Sequence, residues 1–362
     1  MLSTNTHKAA SQQAKTLMRG NEAVGAGAIQ AGCSFFFGYP ITPQNELFSY
    51  MAKHLPRVGG HFLQSESELA GINMVLGASA GGARCLTSSS GPGFTLMGEG
   101  LTSLAAAQLP AVIACVSRAG PGLGRIASSQ SDYRLATQGG GNGDYQCLVL
   151  GPAGAQELYE LTVDAFDLAD RYRNPVIILS DAILGQMMEP VRLSEGEEQP
   201  RPPKDWAVHG KGSAPRKVIK AAPHTDEELI EWNIDLGKKY ARMQAQEQRH
   251  ELLGAEGAEL LVVAFGSSAR ICMDAIQQAR EEGIRVGLFR PVSLWPFPET
   301  ALRAQVDSVT QRVLVVEANN GQMVHDVQKA VCGQCPIEHF GQGGGAIFKP
   351  EAIYTKIRQV SG

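Results

Sequence analysis

Short, almost uninterrupted apolar runs alternate with amphipathic stretches over residues 17–190, and this alternation constrains the fold more than any other feature. The predicted strands are SFFFGY (34–39), RCLTSS (84–89), AVIACVS (111–117), QCLVLG (146–151) and PVIILSD (175–181). The predicted helices between them lie at 21–32, 43–54, 67–80, 94–107 and 154–171. Because strands that are apolar on both faces must be covered on both faces, the pattern predicts an α/β fold with a parallel sheet between helices.

A second α/β unit is predicted from residue 257 onwards, where ELLVVAFGSS, IRVGLFRPVSL and RVLVVEANNG have the composition of buried strands and their turns. The intervening stretch begins proline-rich and ends in an amphipathic helix that Thr225 is expected to cap. The sequence therefore predicts four parts: an N-terminal tail (1–16), a first α/β domain (17–190), a linker with an amphipathic helix (191–256) and a second α/β domain (257–362).

Charge and cysteine usage exclude several classes of function. The net charge is −4 and the pI is near 6.1, which gives no electrostatic reason to expect binding to nucleic acid or to an anionic membrane. Neither a signal peptide nor a membrane-spanning segment is apparent, so we expect a cytoplasmic protein. Cys332 and Cys335 form a CxxC pair, but zinc or iron–sulfur ligation needs about four ligands, so no metal site is predicted in this chain.

The stretch GYPITP (38–43) stands where a predicted strand passes into a helix. Thr42 followed by Pro43 suits a helix N-cap with proline in the first turn, where the missing N–H costs nothing. Capping does not account for Tyr39 and Pro40, so this segment is a candidate for a further role.

Three other stretches place chemically useful side chains at the ends of predicted elements. Glu66 and Glu68 stand at the start of a helix rich in small residues. Carboxylates at this position either stabilise the helix through its dipole or take part in catalysis. The GPG turn after TSSS begins a helix whose N–H groups suit polar ligand atoms. Arg118 follows AVIACVS, at the sheet edge where parallel sheets bind ligands; it either pairs with an internal acid or binds a substrate carboxylate.

Taken in order and with their spacing, four stretches resemble the α subunit of 2-oxoacid:ferredoxin oxidoreductases. They are the segment from GNEAV to GYPITPQNEL, QSESELAGINMVLGASAGG, TSSSGPGFTLM, and the GPGLG stretch ending in SQSDY. FGSSAR, GIRVGLFRPVSLWPFPE and VLVVEANNGQM are similar to that family's second domain. The resemblance weakens over 191–250, and it favours the branched-chain (3-methyl-2-oxobutanoate) branch, with the 2-oxoglutarate branch next.

This resemblance implies a fold and an activity. The fold would be a thiamine-diphosphate pyrimidine-binding α/β domain followed by a transketolase C-terminal-like α/β domain. The activity would be CoA-dependent oxidative decarboxylation of a 2-oxoacid to acyl-CoA and CO2, with reduction of ferredoxin. Alternatives are a 2-oxoglutarate enzyme that makes succinyl-CoA, a transketolase-like or acetolactate-like thiamine enzyme, and a non-catalytic assembly subunit with a degenerate fold.

The resemblance also assigns site residues. In thiamine enzymes, the glutamate that activates the aminopyrimidine ring stands at a fixed distance before a helix glycine, and counting back from Gly77 gives Glu68, with Glu66 left as a cap. Arg118 aligns with the arginine that binds the substrate carboxylate, and Thr42 with a hydroxyl that reaches the same carboxylate or the ketone. The implied cofactor-binding residues are Tyr39, Pro40, Ile41, Thr42, Glu68, Ser88, Ser89, Ser90 and Gly91.

The chain lacks the GDG…Asn signature that holds Mg²⁺ and diphosphate in thiamine enzymes, since GNGDYQ (141–146) has no glycine after Asp144. A CxxCxxC cluster motif is also missing. The resemblance therefore implies a β subunit that carries the Mg²⁺–diphosphate half of the site, a γ subunit, a ferredoxin-like δ subunit with [4Fe-4S] clusters, ferredoxin as acceptor and CoA as co-substrate. Which 2-oxoacid is used stays open; a basic residue such as Arg125 or Arg134 at the far end of the pocket would suit 2-oxoglutarate.

The second domain is expected to pack subunits together and to carry little chemistry. Trp295 and Phe297 are either an anchor for such an interface or part of this domain's own core.

Overall fold

The computed structural model describes residues 15–194, 203–208, 210, 217–220, 223–306 and 310–362. Most of the predicted N-terminal tail and parts of the predicted linker therefore lie outside the described residues. In chain order the strands are β1 (Lys15–Arg19), β2 (Phe35–Gly38), β3 (His61–Gln64), β4 (Cys85–Ser89), β5 (Ala111–Ala119), β6 (Arg125–Ser128), β7 (Leu148–Leu150), β8 (Pro175–Asp181), β9 (Met188–Arg192), β10 (His250–Leu253), β11 (Leu260–Val263), β12 (Val286–Pro291), β13 (Ser293–Trp295), β14 (Arg312–Glu317) and β15 (Ile337–Gly341).

The helices lie between these strands and cover both main sheets. In chain order they are α1 (Gly20–Gln30), α2 (Asn45–His54), α3 (Glu68–Ala80), α4 (Pro92–Leu96), α5 (Gly98–Ala106), α6 (Tyr133–Gln138), α7 (Ala155–Tyr172), α8 (Ala182–Gln186), α9 (Asp226–Gln246), α10 (Gly266–Glu281), α11 (Glu299–Val306), α12 (Met323–Val331) and α13 (Pro350–Ser361). Among the described helices, none is long and apolar enough to cross a membrane.

The first main sheet has eight strands in the order β13–β7–β8–β5–β4–β2–β3, with β6 paired to β5 outside this row. Its neighbours from β3 to β7 are parallel, and β13 joins antiparallel to β7. The strands β4, β5 and β8 are buried along their whole length. Strands β5 and β8 are apolar over most of their length, as burial on both faces requires, whereas β4 ends in three buried hydroxyl residues. The predicted parallel α/β fold is confirmed.

The second main sheet has five strands in the order β10–β12–β11–β14–β15. All its pairs are parallel except β10 with β12. Strand β10 comes from the stretch predicted as linker, whereas α9 and its cap are as predicted: the Thr225 hydroxyl accepts a 3.2 Å hydrogen bond from the Glu228 N–H. The division into four parts by residue number stays a prediction.

The start of α2 differs from the sequence prediction. The helix begins at Asn45 with Gln44 in the N-cap position, while Thr42 and Pro43 lie in a turn before it, so the prediction that Thr42 caps this helix was wrong. The reason is tertiary: the Gln44 side chain donates to the Tyr39 carbonyl at 3.2 Å and accepts from the Ser88 hydroxyl at 2.7 Å, which fixes the loop against β4.

Trp295 and Phe297 lie where the two main sheets meet. Phe297 is buried, and the half-buried Trp295 ring packs edge-on against Tyr240 with ring centroids 6.4 Å apart. The structure therefore favours the alternative in which this aromatic pair closes the chain's own core.

Candidate active site

The carboxyl ends of β2, β4 and β5 meet at one edge of the first sheet, which is where open parallel sheets bind ligands. A cavity of about 850 Å³ opens at this edge. One wall comes from the first sheet and includes Gly91, Arg118 and Asp132; the other comes from loops of the second sheet and includes Asn319, Asn320, Gln322, Gly343 and Gly344. The cavity therefore lies between two halves of the chain: the first half is residues 15–194, and the second half is residues 257–362 as far as the structure describes them.

Glu68 is the first residue of α3 and its side chain is almost completely buried, with 4% of its surface exposed. The Ser89 hydroxyl donates to Glu68 Oε1 at 3.2 Å, while Ser67, the N-cap of α3, accepts from the Ala70 N–H. Glu66, by contrast, is exposed. Since a buried carboxylate is costly without polar partners, Glu68 is the better candidate of the two for binding a cofactor group.

Gly93 permits the close packing around this carboxylate. A Cβ atom at Gly93 would overlap the carboxylate of Glu68 and the hydroxyl of Ser89. The first turn of α4 approaches the carboxylate this closely because residue 93 has no side chain.

The three serines at the end of β4 are all fully buried and have different partners. The Ser88 hydroxyl donates to the side chain of Gln44, the residue that directly follows the GYPITP loop, and the Ser89 hydroxyl donates to Glu68. The Ser90 hydroxyl is buried without a hydrogen-bond partner in the described residues. A buried hydroxyl without a partner points to a ligand atom that completes its bonding.

Arg118 lies near the end of β5 and only 7% of its surface is exposed. Its Nη1 donates to the Thr42 carbonyl at 2.9 Å and its Nη2 to the Leu123 carbonyl at 3.0 Å, while its Nε is buried without a partner. Among the described residues, no carboxylate forms an ion pair with this guanidinium within 4.0 Å. The guanidinium therefore hydrogen-bonds to neutral carbonyls, and the Asp132 carboxyl in the same cavity acts on it only from beyond ion-pair distance. This arrangement favours the alternative that Arg118 binds a ligand anion over a direct internal ion pair.

The GYPITP loop contacts this arginine through its backbone. Thr42 is half-buried, and its hydroxyl accepts from the Asn45 side chain at 3.2 Å. Tyr39 and Pro40 are exposed and Ile41 is half-buried, and none of these three is among the described residues that line the cavity. The structure thus brings Arg118 and the Thr42 backbone together. Of the residues predicted to bind cofactor or substrate, only Gly91 and Arg118 are among the described residues that line the cavity.

Asp132 lines the cavity but was not among the site residues predicted from the sequence. Burial raises the pKa of this carboxyl, and hydrogen bonds from Ser117 and the backbone of Gly91 and Arg118, together with the Arg118 charge, oppose the rise. The wall contributed by the second sheet was not predicted either. Both had a signal in the sequence, since SQSDY and VLVVEANNGQM belong to the stretches that carry the family resemblance.

Two other groups of candidates lie away from the cavity. Arg125 and Arg134 are exposed, and neither is among the described residues that line it. Cys332 is an exposed free thiol and Cys335 a half-buried one, and the described residues contain no group of three or more His, Cys, Asp or Glu side chains that could hold a metal ion.

Comparison with protein families gives two matches that together span most of the chain. Residues 26–252 match the family model described as "Pyruvate flavodoxin/ferredoxin oxidoreductase, thiamine diP-bdg", and residues 258–353 match "Pyruvate:ferredoxin oxidoreductase core domain II". The chain belongs to the 2-oxoacid:ferredoxin oxidoreductase family. As a member, it is a subunit of an oxidoreductase that acts on the oxo group of its donor with an iron–sulfur protein as acceptor.

Three relatives cover nearly all of this chain. Ketoisovalerate oxidoreductase subunit VorB of Methanothermobacter thermautotrophicus is 45% identical over 349 residues, which are 96% of this chain and 99% of the relative. 2-Oxoglutarate synthase subunit KorA of Archaeoglobus fulgidus is 40% identical, covering 93% of this chain and 96% of its own. The structure of 2-oxoglutarate:ferredoxin oxidoreductase from Magnetococcus marinus, with 2-oxoglutarate, coenzyme A and succinyl-CoA bound, matches with a TM-score of 0.87 at 29% identity, covering 97% of this chain and 66% of that one. The predicted family and fold class are confirmed.

The residues at the sheet edge fit thiamine diphosphate, the cofactor of this family. A buried carboxylate at Glu68 and the buried, unpartnered Ser90 hydroxyl provide the acid and polar groups that an aminopyrimidine ring needs, and Gly93 leaves the space around them. The individual roles of the site residues stay predictions.

Proposed function

We propose that this chain is the α subunit of a CoA-dependent 2-oxoacid:ferredoxin oxidoreductase whose substrate is a branched-chain 2-oxoacid such as 3-methyl-2-oxobutanoate. The observation that carries this proposal is the buried Arg118 guanidinium, which has an unpartnered Nε, lines the cavity and, among the described residues, has no carboxylate within 4.0 Å. Such a group suits the carboxylate that every 2-oxoacid carries. Products are the acyl-CoA and CO2, and the electrons pass to ferredoxin.

The cavity lining favours a substrate with one carboxylate over 2-oxoglutarate, which has two. Among the described residues that line the cavity, Arg118 is the sole cationic side chain. A second carboxylate would therefore have no positive partner from this chain. The 45% identity to a ketoisovalerate oxidoreductase subunit supports the same choice, and the 40% identity to a 2-oxoglutarate synthase subunit keeps the 2-oxoglutarate enzyme as the alternative.

Each site residue has a role in this proposal. Glu68, Ser88 to Gly91 and the loop from Tyr39 to Thr42 would hold the aminopyrimidine end of thiamine diphosphate, which supplies a carbon nucleophile for the 2-oxo group when bound. Glu68 holds and exchanges a proton with the ring in a site from which burial excludes water. Arg118 binds the substrate carboxylate, and Thr42 orients the same end of the substrate.

Other subunits complete the enzyme in this proposal. A β subunit would hold Mg²⁺ and the diphosphate, and a γ subunit, a ferredoxin-like δ subunit with [4Fe-4S] clusters and ferredoxin itself would complete the electron path in the cytoplasm. Beside the cavity, Leu123 and Ile126 are 81% and 61% exposed, and a partner subunit that closes the site would cover them. In this arrangement residues 17–190 bind the pyrimidine and residues 257–362 form the transketolase C-terminal-like domain.

The test is CoA-dependent reduction of ferredoxin or viologen by the purified complex with a panel of 2-oxoacids. We expect the highest kcat/KM with 3-methyl-2-oxobutanoate. A higher kcat/KM with 2-oxoglutarate would overturn the substrate assignment and mean that a partner subunit supplies the second cation. If no 2-oxoacid supports reduction by an intact complex, the chain is a non-catalytic assembly subunit.

A further inference from the structure

The segment from Ser129 to Arg134, which follows β6 and includes the first two residues of α6, connects the two halves of the chain at the cavity. Gln130 is buried, and all the polar atoms of its side chain bond to residues of the second half. Its Nε2 donates to the Phe265 carbonyl at 2.9 Å, and its Oε1 accepts from the Ser268 hydroxyl at 2.7 Å and from the Ala318 N–H at 2.9 Å. This segment is therefore held in place from the second half.

Gln322, the N-cap residue of α12, forms hydrogen bonds to the same segment through both the nitrogen and the oxygen of its side-chain amide. Its Nε2 donates to the Ser131 carbonyl at 2.8 Å, and its Oε1 accepts from the Arg134 N–H at 2.7 Å. Its own backbone N–H bonds to both carboxylate oxygens of the fully buried Glu317 at 3.1 Å. Gln322 is thus a fixed clamp on residues 131–134.

On its other side, the clamped segment holds the end of β5 where Arg118 lies. The Ser131 hydroxyl donates to the Arg118 carbonyl at 3.3 Å, and the Asp132 N–H donates to the Ser117 hydroxyl at 3.3 Å. The Cys115 thiol points to Asp132 Oδ2 at 3.9 Å. Because the Arg118 guanidinium has no carboxylate partner of its own, its position depends on the backbone that carries it and on the two carbonyls that it contacts.

We propose that Gln322 is a positioning residue for Arg118: it clamps the Ser131–Asp132 turn, this turn fixes the end of β5, and the second half of the chain thereby sets the affinity of the site for the substrate carboxylate. The inference rests on the proposed role of Arg118 in binding that carboxylate. Guanidinium–carboxylate recognition depends on geometry, so a small displacement of β5 weakens substrate binding even though Gln322 contributes no charge. The second half of the chain then takes part in substrate binding, contrary to the expectation that it carries little chemistry.

The experiment measures steady-state kinetics of the assembled complex with 3-methyl-2-oxobutanoate. Gln322→Met keeps the length of the side chain and removes both amide hydrogen bonds. We expect it to raise KM for the 2-oxoacid by about three- to tenfold, the usual effect of one or two lost hydrogen bonds, while kcat and KM for CoA stay within about twofold.

A matched control removes a polar contact between the two halves at a different place. Arg270 donates to Glu189 Oε1 at 2.7 Å and to the Ala153 carbonyl at 3.2 Å, away from the residues that line the cavity. Arg270→Met should leave all KM values unchanged. If both variants change the kinetics equally, or if Gln322→Met lowers kcat and raises every KM together, the role of Gln322 is structural and the inference is overturned.

A second pair of variants separates this inference from the proposed function. If Arg118→Lys raises KM but Gln322→Met does not, the carboxylate role of Arg118 stands and the positioning role of Gln322 falls. If Arg118→Lys leaves KM unchanged, both fall. In the double variant, the two effects should be less than additive because both act on the same guanidinium. Should Gln322→Met fail to assemble, Gln322→Asn, which keeps a neutral amide on a side chain one methylene shorter and cannot reach both Ser131 and Arg134, provides the same test.

Discussion

The Ser89 hydroxyl donates a 3.2 Å hydrogen bond to Glu68 Oε1, and this bond connects the end of β4 to the first residue of α3. The two side chains are both buried, although their residues come from separate elements, α3 and β4, which both precede the GPG turn. The bond therefore fixes the orientation of the carboxylate that is proposed to contact the cofactor.

Glu68→Gln should preserve folding and subunit assembly but lower the activity of the complex by about 10²–10⁴-fold, because an amide does not exchange a proton as a carboxylate does. The matched control is Glu66→Gln, since Glu66 is exposed two residues away. Activity of both complexes would be measured beside their melting temperatures. A fully active Glu68→Gln variant together with an inactive Glu66→Gln variant would reverse the assignment.

Gly93→Ala should destabilise the protein and impair the site together, because the added Cβ overlaps Glu68 and Ser89. Overpacking of this kind costs about 1–3 kcal/mol of the free energy of unfolding. Gly237→Ala is the control: this glycine lies in α9, is exposed, and its Cβ would have no neighbour within 4 Å. There we expect a gain of about 0.5–1 kcal/mol, since alanine favours a helix. Urea unfolding would measure the free energy of unfolding of both variants. If the Gly93→Ala variant were as stable as the Gly237→Ala variant, the first turn of α4 would be able to move away from Glu68 without cost.

The sequence predicted the fold and much of the site where the determinants are local. The apolar runs of β5 and β8 specify buried parallel strands, and the carboxyl ends of β4 and β5 place Ser90 and Arg118 at one edge. Strand β3 was missed because its four residues, HFLQ, are short, partly polar and mostly exposed at the sheet border. The cap of α2 was misassigned because Gln44 bonds to Ser88, which lies 44 residues away in the chain and reaches Gln44 only in the folded protein.

The individual hydrogen bonds between the second half and the cavity segment could not be predicted for a related reason. Gln130 and Gln322 are ordinary polar residues in the sequence, and their bonds join segments that lie about 190 residues apart in the chain. Nothing in local periodicity encodes such a pairing, since it depends on how the two sheets pack. The burial of Arg118 without a counter-ion is likewise a property of the assembled fold.

Arg118→Lys should raise KM for every 2-oxoacid by about 10- to 100-fold, the effect of losing hydrogen bonds that involve a charged group. A lysine has one compact charge and would not span the Thr42 and Leu123 carbonyls while also presenting a donor to the cavity. Arg125→Lys is the control on the adjacent strand β6, where the side chain is exposed. Kinetics with several 2-oxoacids would check this, and an unchanged KM in the Arg118 variant would show that the carboxylate binds elsewhere.

Lys239 in α9 should make the stability of the chain depend on pH in the alkaline range. It is 9% exposed, and burial lowers the pKa of its ammonium group to about 8. Its ordinary pKa is about 10.4, so between these two values the unfolded chain holds more protons than the folded protein. The free energy of unfolding therefore rises with pH through this window, and below pH 8 the buried ammonium costs at most about 3 kcal/mol.

Lys239→Met should accordingly stabilise the protein at pH 7, and its advantage over the unsubstituted chain should shrink as the pH rises from 8 towards 10.4. Lys238→Met is the matched control, because the neighbouring Lys238 has 71% of its side chain exposed and pairs with Asp235 on the helix surface. Surface pairs of this kind contribute about 0–1 kcal/mol and would give no trend in this window. Urea unfolding at several pH values would compare the two variants with the unsubstituted chain. A Lys239→Met advantage that stays constant across the window would mean that Lys239 remains fully charged in the folded protein.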